Sequence, residues 1–309
     1  MRRASGAKPR DRECVFLALG GLGDLLLLTP LIRQIARTGP RGRVVCVCPP
    51  HAKELFERNP HIDRLVVCPG PEIWYWALPQ AGREVFAPFH KVELARAPGG
   101  DIRIVAREGL NPARGRGPAA EQIAAHFGVA LADARPEIYT TRADRAAADR
   151  VMARCGGKPG VLLGFESTWP QKRLPVEIRR ETRRRLRRRG CALLEVTGRR
   201  LRIGSVLLPL PGIRTMAEVA RRCAAILTVD SFLGHLAAAV QKPAVVLFGL
   251  ADPAVYGHPG NCNLHSGACR PCGGTPRRKR CAAAVCMSGF SAEAIAAAVL
   301  NLPGLRRRG

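Results

Sequence analysis

Apolar residues in this chain come in short bursts separated by glycine, proline and charge. The run CVFLAL (14–19) meets Gly20, Gly21, Leu22, Gly23 and Asp24, and the apolar segment LLLLTPLIRQIAR (25–37) follows, with Arg33 and Arg37 near its end. That order predicts strand, glycine turn and helix, the opening unit of a nucleotide-binding α/β domain. RVVCVC (43–48), stopped by Pro49 and Pro50, predicts a second strand. HAKELFER (51–58) predicts a helix, and NPHIDRLVVCPG (59–70) a turn and a third short strand. Strands alternating with helices over short turns argue for a parallel sheet with helices on its faces.

From Glu72 to Pro118 the pattern is irregular, with aromatics at Trp74, Tyr75 and Trp76; DIRIVA (101–106) is a candidate strand. A helix is expected over Ala119 to Phe127. Residues 133–160 hold a short polar-alanine helix and GGKPG, which reads as a linker. A second α/β unit opens at Val161. VLLGF is a strand, ESTWPQKRLP a polar loop at its carboxyl end, Pro175 to Arg189 a helix, and CALLEV a strand. SVLLPL is a candidate short strand. TMAEVARRC (215–223) predicts a helix with Thr215 and Glu218 at capping-box spacing. AILTV (225–229), DSFLGHLAAAV (230–240) and KPAVVLFG (242–249) continue as strand, turn with helix, and strand. The expected domains are residues 1–150 and 151–309.

The chain has 309 residues, 47% of them hydrophobic, enough for two domains with substantial cores. Pro30 and Arg33 interrupt the first apolar segment, leaving it too short to cross a bilayer. The N-terminus is basic but lacks a cleavable apolar stretch, so a cytoplasmic location is expected. Net charge is +26, and only seven of the 50 basic residues are lysine. Biased codon composition is one reading of this excess; attraction to a polyanion (nucleic acid, an anionic membrane face or a phosphorylated glycolipid) is the functional alternative. The basic runs are 179–189, 277–280 and 306–308. Aromatics make up 5% and do not alternate with these runs, so nucleic acid is not the expected partner.

Ligands of open α/β sheets bind beyond the carboxyl ends of strands. Asp24, Ser167 to Lys172, and Asp230 to His235 all fall at such ends. GGLGD fits neither G-x-G-x-x-G nor a P-loop, and Asp24 reads either as a helix N-cap or as a catalytic or ligand-binding carboxylate. Lys172 is either an ordinary loop lysine or a phosphate cation. Asp230 and Ser231 are either helix caps or part of an anion-binding turn, and His235 is either a hydrogen-bonded, partly buried imidazole or a donor-site group. Most of the 12 cysteines sit in apolar strand or helix contexts, as buried free thiols do. Cys269, Cys272, Cys281 and Cys286 differ: their C-x2-C-x8-C-x4-C spacing suits a structural Zn²⁺ or iron, with disulfides or free thiols as alternatives.

Four features together resemble glycosyltransferase family nine, the heptosyltransferases of lipopolysaccharide assembly. They are GGLGDLLLLTPLIRQI with NPHIDRLVV downstream; ESTWPQKRLP; MAEVARRCAAILTVDSFLGHLAAAVQKPAVVLFGLADP; and the closing cysteine set. The resemblance implies a GT-B architecture, two Rossmann-like domains with parallel sheets facing across a cleft, the last helix returning to the first domain. It implies inverting transfer of a heptose or related sugar from an ADP-sugar to a lipopolysaccharide-core or related glycan acceptor, with no cofactor required for catalysis. Asp24 stands where the family places its catalytic carboxylate, with Gly20, Gly21 and Gly23 as the acceptor-side loop. Ser167, Thr168 and Lys172 would meet the donor diphosphate, and Asp230, Ser231, Gly234 and His235 would shape the donor pocket. The expected partners are the ADP-sugar, an anionic glycolipid or glycan, and the inner membrane face as a peripheral contact. Two departures stand out: Phe232 where the family has glycine, and RRLRIG after Thr197–Gly198 with no acidic residue. A protein acceptor of the autotransporter type, or a non-catalytic polyanion-binding protein on the same fold, are the alternative readings.

Overall fold

The structure is a computed structural model and describes residues 13–38, 42–70, 83–87, 90–96, 102–108, 110–273, 275, 281 and 284–306. The chain forms two compact units, Met1–Asn111 with Ala120–Arg135, and Pro112–Ala119 with Pro136–Gly309. Trp74 to Trp76 and the basic run 277–280 lie outside the described residues.

The first unit is built on a parallel sheet in the order β3-β2-β1-β4, from β1 (Glu13–Leu17), β2 (Arg43–Cys48), β3 (Arg64–Val67) and β4 (Arg83–Phe86). The two central strands are apolar almost throughout because both of their faces are covered. Phe16 and Phe86 stack across β1 and β4 with ring centroids 4.7 Å apart. The strand expected at 101–106 is β6 (Ile102–Glu108), paired antiparallel with β5 (His90–Arg96) in a sheet of its own.

Helix α1 (Leu22–Thr38) begins two residues before Asp24 and passes through Pro30. The helix expected over 25–37 forms, with Pro30 inside it. The helix tolerates it because burial of Leu25 to Ile32 holds the segment against the sheet. Arg33 is buried with it, and its guanidinium donates to the Asp133 carbonyl at 2.6 Å. Among the described residues no helix is long and apolar enough to cross a membrane.

The second unit carries a seven-stranded sheet, order β10-β9-β8-β7-β11-β12-β13. Its parallel part comprises β7 (Gly160–Gly164), β8 (Ala192–Thr197), β11 (Ala225–Val229), β12 (Ala244–Phe248) and β13 (Cys262–His265). β9 (Arg200–Ile203) and β10 (Val206–Pro209) continue one edge as an antiparallel meander. β9 was hidden in the sequence because RLRI alternates arginine with apolar residues beside other arginines, and β13 because CNLH has little apolar character. After α2 (Lys53–Phe56) and α3 (Ala119–His126) earlier in the chain, the helices here are α4 (Arg142–Met152), α5 (Val176–Arg188), α6 (Ile213–Arg222) and α7 (Phe232–Ala239); a last helix, Ala292–Leu300, packs on α5 and β12 within this unit. The shared core runs through Leu163, Phe165, Leu186, Leu227, Leu247 and Ile295.

The expected capping box at Thr215 and Glu218 does not form, because α6 already starts at Ile213. Glu218 is instead buried, accepting from Thr140 (2.5 Å), Arg221 (2.7 Å) and Arg222 (2.5 Å). A capping box forms on α4, where the Thr141 hydroxyl accepts from the Asp144 N–H and the Asp144 carboxylate accepts from the Thr141 N–H.

Candidate functional site

β7 and β11 are neighbours, and the loops leaving their carboxyl ends meet. After β7 the chain makes a short excursion and returns, the Leu174 N–H donating to the Phe165 carbonyl at 3.3 Å. Within it the Ser167 hydroxyl accepts from the Trp169 N–H at 3.2 Å, and Pro170–Lys172 forms a 3₁₀ turn. That turn aims Lys172 at the end of β11, where Nζ lies 2.5 Å from Oδ2 of buried Asp230. The ammonium also sits 5.7 Å from the Trp169 ring centroid, a cation–π distance. Lys172 is therefore held by a carboxylate and an aromatic face, which sets it apart from a loose loop lysine. Thr168 is exposed.

Asp230 does not cap α7; its carboxylate pairs with Lys172, and its N–H donates to the Leu247 carbonyl at 2.9 Å. Ser231 occupies the N-cap position without a side-chain cap bond, its hydroxyl lying 3.1 Å from that of Thr228. The first N–H groups of α7 are consequently available to an anion. Gly164 lets this turn approach β7: a Cβ there would come within 2.5 Å of Leu233 Cδ1 and 3.0 Å of Thr228 Oγ1. Gly234 is packed less tightly, its Cβ position 3.4 Å from Val246. Phe232 is half-buried at the first helical position.

His235 is buried, and its Nδ1 lies 2.9 Å from Nε2 of His258 on the loop before β13. Burial first, then His258 and Lys172, push the His235 pKa well below the ordinary imidazole value. Burial lowers His258 to about 4. Both rings are neutral at pH 7, one donating the single proton between them. His258 has no sequence signal, since a spacing of 23 residues fits no local period. Glu166 was also missed. It stands one residue before Ser167, and its carboxylate accepts from the Gly198 N–H at 3.1 Å, bringing an acid to the turn whose own sequence has none.

In the first unit, Gly20 has φ 135°, a conformation open to glycine alone, and the Leu25 N–H closes the first helical turn on the Gly21 carbonyl at 3.0 Å. Gly23 and Asp24 are the second and third residues of α1, so Asp24 is not its N-cap. Its half-buried carboxylate lies in the first turn, where the helix dipole favours negative charge. Oδ2 stands 3.4 Å from where a Gly21 side chain would begin, an ordinary contact distance.

Cys269, Cys272, Cys281 and Cys286 line one cavity of about 40 Å³ with Leu250 and Val285. Cys286 exchanges a hydrogen bond with Cys269, and burial followed by the neighbouring thiols raises it to about 11. The donor set suits a thiolate-bound metal. In the present geometry, however, no three His, Cys, Asp or Glu side chains among the described residues are arranged to hold one.

A lysine–aspartate pair and the start of a helix at the carboxyl ends of adjacent strands make a place where an anion can be held. The fold is of the GT-B type. The profile of glycosyltransferase family 9 (heptosyltransferase) matches residues 118–280, and the chain belongs to that family. The matched span contains Lys172, Asp230 and His235; Asp24 lies before it. Lipopolysaccharide heptosyltransferase 1 of Pseudomonas aeruginosa is 32% identical over 127 residues, covering 38% of this chain and 36% of the relative, so the match spans about a third of that protein. A family 9 glycosyl transferase from Veillonella parvula superposes with TM-score 0.71 at 16% identity, covering 96% of this chain and 99% of that one. The dodecameric iron-containing heptosyltransferase TibC of enterotoxigenic E. coli, solved with ADP-D-β-D-heptose, gives TM-score 0.63 at 16% identity, covering 98% and 80%.

Proposed function

We propose that this chain is an inverting glycosyltransferase that moves a heptose from ADP-heptose to a lipopolysaccharide-core or related glycan acceptor. The observation that carries the reading is the Lys172–Asp230 pair beside the start of α7, inside the span that matches the family. A departing nucleoside diphosphate gains charge as the sugar leaves, and fixed cations and N–H dipoles stabilise that charge. Lys172 supplies the cation, Asp230 orients it, and the hydroxyls of Ser167 and Thr168 with the N–H groups at Ser231 complete the cradle. Neutral His235, steadied by His258, shapes the pocket wall behind Gly234. Direct displacement also needs a base for the acceptor hydroxyl, and Asp24 takes that role. Gly20, Gly21 and Gly23 keep the backbone around it slim enough for a sugar to approach.

Cys269, Cys272, Cys281 and Cys286 would hold a structural Zn or Fe once the thiols draw together; this would pin their loop and leave the transfer step to the other residues. The likeness to an iron-containing heptosyltransferase supports this assignment. The excess of arginine suits an anionic glycolipid at the inner face of a membrane. Transfer measured with ADP-heptose and a heptose-deficient lipopolysaccharide core tests the whole reading. Product with inverted anomeric configuration is expected. ADP-heptose binding without transfer to any glycan acceptor would overturn the acceptor, and absence of ADP binding would overturn the reading itself.

A further inference from the structure

A second concentration of charge lies in the groove between α5 and the β8–β9 edge. Its cavity measures about 530 Å³, within the range of small-molecule sites, and seven arginines and two glutamates line it. The helical period places six of them: Arg179, Arg183 and Arg187 follow one i,i+4 line, and Arg180, Arg184 and Arg188 the next. Arg202 comes from β9, where it is the cross-strand partner of Glu195. Like charges at this spacing oppose helix formation, so the sequence accepts an unfavourable local pattern to gather cations on one concave face.

The carboxylates present do not neutralise it. Buried Glu195 accepts both of its bonds from Arg183, at 2.7 and 3.0 Å, and fixes that guanidinium in the floor. Glu166 lies 3.7 Å from Arg179. Glu181, outside the groove, holds Arg184 at 2.6 and 2.7 Å. Seven arginines against two glutamates leave five positive charges in excess along the lining; with Arg184 held by Glu181, the other four, Arg180, Arg187, Arg188 and Arg202, form no ion pair with a carboxylate among the described residues. Thr197, also in the lining, has a buried hydroxyl without a hydrogen-bond partner among the described residues. Neither Lys172 nor Asp230 lines this groove.

We infer that the α5 groove is a second anion site, taking a compact, multiply charged phosphate group, either a soluble oligophosphate or the phosphate-bearing headgroup of a lipid or glycolipid. Guanidinium forks match phosphate oxygens two at a time, and a cluster of them on a rigid helix is arranged before the ligand arrives. The concave shape favours a compact group over an extended polymer. Glu166 borders both this groove and the Ser167 loop, but Lys172 and Asp230 stand outside the groove, so the site does not depend on the transferase reading.

Calorimetry of the full chain with inorganic tripolyphosphate tests this. One saturable, salt-sensitive site is expected once ADP fills the donor cradle. The triple variant Arg180→Gln, Arg187→Gln, Arg188→Gln should weaken it at least ~10-fold, as loss of several charge-assisted bonds requires, with melting temperature retained. Saturating ADP, which fills the donor cradle of the proposed function, should leave tripolyphosphate binding in the α5 groove unchanged. Flotation on phosphatidylcholine vesicles carrying phosphatidic acid, reversed by tripolyphosphate, would identify a lipid headgroup as the source; binding of tripolyphosphate without flotation would identify a soluble one. No saturable binding with ADP present, an unaffected triple variant, or displacement of tripolyphosphate by ADP would overturn the site. So would length-dependent binding of single-stranded nucleic acid lost in the same triple variant, since that describes a polymer track.

Discussion

Lys172 Nζ and Asp230 Oδ2 lie 2.5 Å apart although 58 residues separate them along the chain. The side chain of Asp230 is 5% exposed and that of Lys172 is 21% exposed, so the pair is shielded on the protein side and reachable from solvent through the lysine. A cation fixed by a buried carboxylate keeps its position while a second anion arrives, which is what a diphosphate cradle requires.

Lys172→Ala removes the proposed phosphate cation and strands Asp230. ADP affinity should fall roughly 10- to 100-fold, the worth of one charged hydrogen bond. Stability should fall by about 2 kcal/mol, less than for a fully buried pair because Lys172 is partly solvated. Titration calorimetry and chemical denaturation read the two effects separately.

Asp24→Ala should leave ADP affinity unchanged, since Asp24 belongs to the other unit, and should lower turnover roughly 10²- to 10⁴-fold, the range for a lost general base. Single-turnover assays at matched folded concentration check this. Unchanged turnover would remove the base assignment.

The His235–His258 pair gives stability a pH dependence. In the unfolded chain both imidazoles take up protons below their ordinary value of 6.5, while the folded chain refuses them, His258 until about 4. Their contribution is present in full above pH 7 and is lost as pH falls from 6.5 towards 4. At about 1.4 kcal/mol per unit, His258 accounts for ~3 kcal/mol at the acid end. Denaturation of wild type and His258→Gln at pH 7.5 and 4.5 should show a difference that shrinks on acidification; a constant difference would refute it.

Asp144 caps α4 through Thr141 and pairs with Arg214 of α6 at 3.1 Å. Asp144→Ala should cost roughly 1–2 kcal/mol, a cap plus a partly screened ion pair. A shift of the denaturant midpoint without a change in slope is the expected signature.

Elemental analysis of the purified full chain should find Zn or Fe near one equivalent, lost in Cys272→Ser. Metal content equal in wild type and variant would leave the four thiols as a hydrogen-bonded structural cluster.

Much of this fold can be read directly from sequence, because the signals are local. VLLGF, AILTV and AVVLF are apolar runs of strand length, and a strand covered on both faces needs nothing else to be recognised. The glycine turn before α1 and the alternation of elements that makes two parallel sheets are equally local. So is the placing of Asp24, Lys172, Asp230 and His235 at the carboxyl ends of strands. Tertiary structure decided the rest. α1 starts at Leu22 and runs through Pro30 because packing of its leucines against the sheet outweighs one missing hydrogen bond. Asp230 is a lysine partner and not a helix cap because the β7 loop happens to return beside it. His258 meets His235, and Glu166 meets Gly198, across intervals of 23 and 32 residues that no periodicity connects. In α5 the sequence shows only an arginine-rich helix; what makes it a groove is buried Glu195 and exposed Arg202 of the neighbouring strands. A residue's element follows from its neighbours in sequence, but its partner is chosen by the sheet order that brings distant loops to the same edge.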